Sequence, residues 1–112
     1  MWNNNEEIIK LLDGTKLLSR KYPCRCPSCR KKSAHLFLHR FDDSPIGGGW
    51  VWCSNCKSYL HCSYHIPDWW ENEPSIDEER LESRPDYLEE LKGSIDAHVT
   101  RLIQKANAKA GK

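Results

Sequence analysis

The chain has 112 residues, of which 38% are hydrophobic and 29% charged, and its formal net charge is +1. This length fits one domain with a thin core, and no apolar run approaches the roughly 20 residues that a membrane-spanning helix needs. The N-terminus lacks a basic start followed by an apolar stretch, so we expect no secretory signal and a reducing, cytoplasmic setting.

The small net charge conceals a strong asymmetry along the chain. Residues 1–41 carry nine Lys and Arg against three acids, whereas residues 42–92 carry four against twelve. A basic segment favours contact with phosphate groups, and an acidic segment favours a basic partner. The sequence therefore predicts two surfaces of opposite charge.

Residues 1–21 predict a short N-terminal helix. Asn5 is a suitable cap, Glu6 and Glu7 occupy the first turn, and Gly14 follows the end. The apolar residues from 17 to 22 fit either a strand or a second helical turn, and they lead into the first pair of cysteines.

Two C-x-x-C pairs indicate a metal site. The four cysteines are Cys26, Cys29, Cys53 and Cys56, and 23 residues separate Cys29 from Cys53. This spacing suits one tetrahedral ion held by four thiolates, and it favours metal over a disulfide scaffold. Four thiolates leave no open coordination position, so we expect structural Zn²⁺. Iron is the alternative metal for such a site.

Two further cysteines leave a second site open. Cys24 is close enough in sequence to replace Cys26, or it could join His61, Cys62 and His65 around another ion. On a strand, His61 and His65 point to one side and Cys62 to the other, which favours Cys62 as a small hydrophobic residue instead. A Cys62 nucleophile would need a base and an anion hole, and the second is missing, so we expect no enzymatic activity.

The segment from 34 to 64 predicts the strands of a ribbon. Residues 34–41, 50–52 and 58–64 read as strands, whereas residues 42–49 predict a loop because three glycines follow one another. His35 and His39 share one strand face and are interpreted as polar surface or interface positions.

The C-terminal part predicts helices. Ser75 and Glu78 form a capping box for a short acidic helix that ends near Ser83. Pro85 then begins one long helix over 85–107, bent at Gly93, whose apolar residues recur at steps of three and four. We therefore predict a single α+β domain that comprises an N-terminal helix and strand segment (1–21), an antiparallel zinc ribbon (22–65) and a helical segment (66–112) packed on the ribbon.

Aromatic and charged residues supply two candidate surfaces. The partner-binding candidates combine exposed aromatics with acids, and they are Trp50, Trp52, Trp69, Trp70, Glu71 and Glu73. The alternative is that the aromatics cover the core and dock the C-terminal helix. The basic run from Arg20 to Lys32 would contact phosphates, with Phe37, Trp50, Trp52 or Tyr59 stacking on bases. It could instead offset the net charge of −2 that four thiolates and Zn²⁺ carry together.

Two resemblances follow from these residues. Residues 22–65 resemble the zinc-ribbon class through Cys26-Pro27-Ser28-Cys29 and Trp52-Cys53-Ser54-Asn55-Cys56, which implies structural zinc but no specific function. The whole chain resembles small bacterial immunity proteins of toxin–immunity pairs in its size, its cytoplasmic character and its lack of catalytic groups. The resemblance also rests on the segments Trp50-Val51-Trp52-Cys53 and Ile66-Pro67-Asp68-Trp69-Trp70, flanked by acids, and it carries over no residues by motif. That resemblance implies inhibition of a basic toxin or nuclease, and the alternative is a nucleic-acid-binding ribbon.

Overall fold

A computed structural model describes residues 1–14 and 16–110, apart from the side chain of Ala110. It shows the expected α+β class, with one sheet and a C-terminal helix. The strands are β1 (Asn3–Asn4), β2 (Cys24–Arg25), β3 (Lys32–Arg40), β4 (Ile46–Cys53) and β5 (Ser58–His65). The helices are three 3₁₀ helices (Glu6–Leu12, Leu17–Ser19 and Glu78–Arg80), α1 (Asp86–Glu90) and α2 (Lys92–Ala110).

The sheet has five strands in the order β1-β5-β4-β3-β2. β1 pairs with β5 in parallel, and the other three pairs are antiparallel. The first cysteine pair follows β2, and the second begins at the end of β4. Ala34 of β3 lies opposite both Cys24 of β2 and Cys53 of β4, so the two pairs are neighbours across β3. The sheet thus brings two sequence-distant cysteine pairs to one end.

Both faces of β3 and β4 are covered. Leu36, Phe37 and Leu38 are consecutive in β3 and no more than 1% exposed, although neighbouring strand residues point to opposite faces. Helix α2 packs on β3, and the 3₁₀ helix Glu6–Leu12 packs on β4 and β5. Two-sided burial explains why the central strands carry few polar residues apart from histidine.

The predicted loop over 42–49 is wrong in its second half, because Gly47, Gly48 and Gly49 lie inside β4. These glycines are used for close packing. A Cβ at Gly47 would collide with the backbone of His39, and one at Gly48 would lie 2.6 Å from the indole ring of Trp50. The absence of a side chain at these two positions therefore lets the His39 backbone and the Trp50 ring lie close against β4.

The N-terminal helix forms as a 3₁₀ helix. The side chain of Asn5 accepts a hydrogen bond from the Glu7 N–H, which confirms Asn5 as the cap. Leu17–Ser19 form a second 3₁₀ helix, so the helical alternative holds there and the strand alternative does not. Tyr22 and Pro23 follow with a cis peptide bond.

The capping box at Ser75 is wrong. Ser75 hydrogen bonds to Glu73, and Asp77 instead caps the helix Glu78–Arg80 by accepting from the Glu79 N–H. The predicted long helix is divided at Leu91, not bent at Gly93. The predicted apolar face of this helical segment is confirmed, because its residues Leu88, Ile95, Val99, Leu102 and Ile103 are buried. Gly111 and Lys112 lie outside the described residues.

No helix within residues 1–14 and 16–110 is long and apolar enough to cross a membrane.

Candidate metal centre and flanking surfaces

The four predicted cysteines come together. Their Sγ atoms all lie within 4.8 Å of one another, with Cys26 and Cys56 3.8 Å apart and Cys29 and Cys53 3.6 Å apart. A tetrahedral zinc with Zn–S bonds of about 2.3 Å separates its sulfurs by about 3.8 Å. The cluster therefore fits a metal ion, and no other group in the described part of the chain brings three such ligands together.

Each sulfur has a polar neighbour that suits a thiolate. The Ser28 N–H donates to Cys26, and Asn55 Nδ2 donates to Cys29. The hydroxyls of two serines approach the other pair, with Ser33 3.1 Å from Cys53 and Ser58 3.2 Å from Cys56. Such contacts spread the negative charge of a metal–thiolate centre and orient its ligands.

The thiols differ in acidity when no metal is bound. Burial raises the pKa of Cys26 to about 12. Burial opposes ionisation of Cys29 as well, but hydrogen bonds from Asn55 and the Lys31 backbone lower its pKa to about 6. A metal ion must therefore displace protons from the cluster, which makes binding depend on pH.

The residue after each cysteine pair has a left-handed backbone. Arg30 has φ 68° and Lys57 has φ 64°, in positions where glycine costs least. The two turns are equivalent, since the Arg30 N–H donates to the Cys26 carbonyl and the Lys57 N–H to the Cys53 carbonyl. The two cysteine pairs thus share the same turn geometry, and the Lys57 ammonium extends over the ring of Trp2, 4.9 Å from its centroid.

The second metal site does not form. Cys24 lies on the edge strand β2, while His61, Cys62 and His65 lie on β5, and β3 and β4 separate these strands. Burial raises the pKa of Cys24 to about 11. It also raises the pKa of the half-buried Cys62, which disfavours the thiolate that a nucleophile needs.

Most of the predicted partner-binding residues are not on the surface. Trp50 and Trp52 are 3% and 0% exposed because both faces of the sheet are covered, and Trp70, which follows the sheet and packs against His98, is 1% exposed. The side chain of Glu73 is 12% exposed and bonds to Ser75. The half-buried Trp69 and the exposed Glu71 remain accessible, and Glu71 lies 3.5 Å from Lys105. Burial also removes Phe37 as a base-stacking residue.

His35 and His39 are buried, which corrects their assignment to the surface. They are 3% and 4% exposed. His35 Nδ1 lies 2.9 Å from Asp96 Oδ1, and His39 Nε2 lies 2.7 Å from Glu78 Oε1. The run of apolar residues between the two histidines was the available sign of two-sided burial.

Ser54, next to Cys53, connects the metal site to the C-terminal helices. Its hydroxyl lies 2.9 Å from His35 Nε2 and donates to Glu89 over 2.7 Å, and Lys92 Nζ donates to it. The order Ser54, His35 and Asp96 resembles the serine, base and orienting carboxylate of a catalytic triad. However, the Ser54 hydroxyl donates its proton to Glu89, so the proton is not given to His35 as it would be in a nucleophilic serine. The Ser54 N–H donates to the Ser33 carbonyl, so it is not available to stabilise an acyl intermediate. The contacts favour a structural connection.

Two clefts of opposite charge lie towards opposite ends of β3. One, of about 330 Å³, lies along β2, the strand that leads into the first cysteine pair, and it is lined by Arg20, Lys21, Pro23, Cys24, Arg25 and Lys32. The other, of about 340 Å³, is lined by His39, Phe41, Trp50, His61, Glu78, Leu81, Glu82 and Ser83. We call the second one the acidic cleft. The nine residues of β3 span roughly 26 Å, so the two charges are well separated.

Comparison of the chain with protein-family models, curated proteins and solved structures returns no match in any of the three.

Proposed function

We propose that this chain is a zinc-stapled protein that binds a basic partner protein through its acidic end, as an immunity protein binds and inhibits its toxin. The acidic end comprises Glu78 and Glu82, which line the acidic cleft, and Asp42, Asp43 and Glu79, which are within two positions of lining residues in the sequence. Zn²⁺ bound by Cys26, Cys29, Cys53 and Cys56 would hold the sheet together as a structural ion.

The exposure of these carboxylates carries the proposal. All five acids are exposed, and none of them pairs with a lysine or arginine in the described part of the chain. The nearby Arg80 lies over the ring of Tyr87, 4.1 Å from its centroid. Uncompensated surface charge of one sign steers a partner of the opposite sign and selects against others.

Co-expression with the product of the neighbouring gene tests this function. We expect a stable complex whose affinity decreases as salt increases, because screening weakens exposed charge pairs. A variant with Asp43→Asn, Glu79→Gln and Glu82→Gln should bind about tenfold more weakly.

The matched control removes the same charge elsewhere, through Glu6→Gln, Asp68→Asn and Glu90→Gln. We expect it to retain the affinity of the unmodified chain. Absence of a complex, or an equal loss in both triple variants, would contradict the proposed function.

The basic cleft supports a second candidate, binding of nucleic acid. Arg25, Arg30, Lys31 and Lys32 are exposed, and none pairs with an acid in the described residues. Of the four predicted base-stacking residues, Phe37, Trp50 and Trp52 are buried and Tyr59 is half-buried, which favours phosphate contacts for this surface.

Anisotropy of a labelled oligonucleotide tests that candidate. Binding should weaken steeply as salt increases, and Arg25→Gln with Lys32→Gln should reduce the slope of log K against log salt by about two. No binding at low salt would exclude it.

A further inference from the structure

We propose that the acidic cleft receives one basic side chain, an arginine or a lysine, from the partner protein. This inference rests on the proposed function, since it names the group that the acidic end would recognise. The cleft volume of about 340 Å³ falls at the lower end of ligand sites, which suits a single side chain.

The aromatic part of the cleft is preformed. The Trp50 ring crosses Gly48, stacks on His61 with 4.3 Å between ring centroids, and donates through Nε1 to the Glu82 carbonyl over 2.6 Å. Phe41 is 49% exposed at the rim. Trp50 is only 3% exposed and forms a wall of the cleft, so Phe41 offers the accessible aromatic face for a cation and for the apolar stem that carries it.

The polar part of the cleft is negative. Glu78 and Glu82 line it, and Glu82 has no ion pair with a cation among residues 1–14 and 16–110. Burial lowers the pKa of His61, which favours its neutral form at pH 7, so this ring does not oppose a cationic guest. Both features favour a positive group over a neutral one.

His39 supports the negative part of the cleft. His39 lines the cleft, although its side chain is only 4% exposed. Its Nε2 atom contacts Glu78. Its Nδ1 is buried and has no hydrogen-bond partner in the described structure. Because its own atoms are almost inaccessible, His39 acts on the cleft by holding the Glu78 carboxylate in place through Nε2.

A metal ion is a weaker occupant than a basic side chain. His39, His61 and Glu78 do not form a group of mutually close ligand atoms, and the cysteines are the one such group in the described residues. The combination of aromatic surface and carboxylates suits a cation with an apolar stem.

NMR titration with N-acetyl-L-arginine amide tests the proposal on the full zinc-bound chain. N-acetyl-L-citrulline amide is the matched probe, because it keeps the shape of the side chain and removes its charge. We expect the arginine probe to shift the Trp50 indole N–H saturably and to bind roughly tenfold more tightly than the citrulline probe.

Variants assign this binding to the cleft. Glu82→Gln should weaken the arginine probe about fivefold, whereas Glu90→Gln, which removes a charge from α1, should leave binding unchanged. Folding of each variant is checked by its amide spectrum. Equal affinity for the two probes, or an unchanged affinity in Glu82→Gln, overturns the proposal.

The two proposals fail separately. If the neighbouring gene product binds and Glu82→Gln or Phe41→Ala leaves that affinity unchanged, the acidic end binds the partner without this pocket. If the arginine probe binds the cleft but no partner forms a complex, the pocket stands and the immunity function does not.

Discussion

His35 Nδ1 lies 2.9 Å from Asp96 Oδ1, although 61 positions separate the two residues in the sequence. Their contact joins β3 to α2, and the other ring nitrogen of His35 reaches Ser54 beside Cys53. One buried imidazole thus bridges the C-terminal helix and the turn that carries the second cysteine pair. Replacing either partner leaves a buried polar group unpaired.

We predict that Asp96→Ala lowers the free energy of unfolding by about 1–3 kcal/mol, because His35 Nδ1 loses its partner in a buried position. Urea unfolding with zinc present measures the change. Asp68→Ala, an exposed acid, is the control and should stay within about 0.5 kcal/mol. An equal effect of the two variants would show that the His35 contact stabilises nothing.

We predict that Glu89 stabilises the fold in a pH-dependent manner. Burial opposes its charge, but hydrogen bonds from Ser54, Lys92 and Trp52 lower its pKa below the ordinary value of 4.5. Because the folded state has the lower pKa, this stabilisation is complete above pH 4.5 and is lost as the pH falls through the folded pKa.

Glu89→Gln should therefore destabilise the protein at pH 7 by up to about 1 kcal/mol, with a difference that narrows in acid. Urea unfolding of both proteins over a pH series measures this. Both carry the same cysteines, so loss of metal at low pH affects them alike. A difference that stays constant with pH would contradict the assignment.

We predict one zinc ion per chain, released by a mercurial reagent and measured with a chromophoric chelator. Removal should unfold the sheet, since zinc binding to such sites is worth on the order of 10 kcal/mol. Cys53→Ser should lose the ion, and Cys62→Ser should retain it because Cys62 lies outside the cluster. Loss of zinc from both variants would contradict the assigned ligands.

We predict opposite effects of alanine at two glycines. A Cβ at Gly48 meets the Trp50 ring at 2.6 Å, so Gly48→Ala should destabilise by about 1–3 kcal/mol. A Cβ at Gly93 meets nothing within 4 Å, so Gly93→Ala should stabilise α2 by about 0.5–1 kcal/mol. Thermal unfolding of both variants provides the measurement, and destabilisation by Gly93→Ala would disprove the open surroundings of that position.

Local patterns predicted the features that depend on near neighbours. The C-x-x-C spacing identified all four clustered cysteines, Asn5 was found as a cap, and the apolar steps identified the buried face of α2. Each of these follows from bonds within a few residues or from one regular helix period.

The interpretation failed where burial depends on distant segments. Gly47–Gly49 predicted a loop because glycine is flexible, yet at Gly47 and Gly48 the neighbours of β4 leave no room for a side chain. Trp50, Trp52 and the two histidines of β3 suggested a surface. The segments from 70 to 96, however, supply partners such as Glu89 and Asp96, which cover that face.

The sequence by itself determined the four-cysteine cluster and the α+β class, because cysteine spacing and hydrophobic period are properties of the chain. Only the tertiary structure decided which aromatic residues are buried and which acids remain unpaired. Those outcomes depend on pairs such as Trp50 with Glu82 and His39 with Glu78, which chain folding brings together over more than 30 residues. The acidic cleft exists only through these long-range contacts.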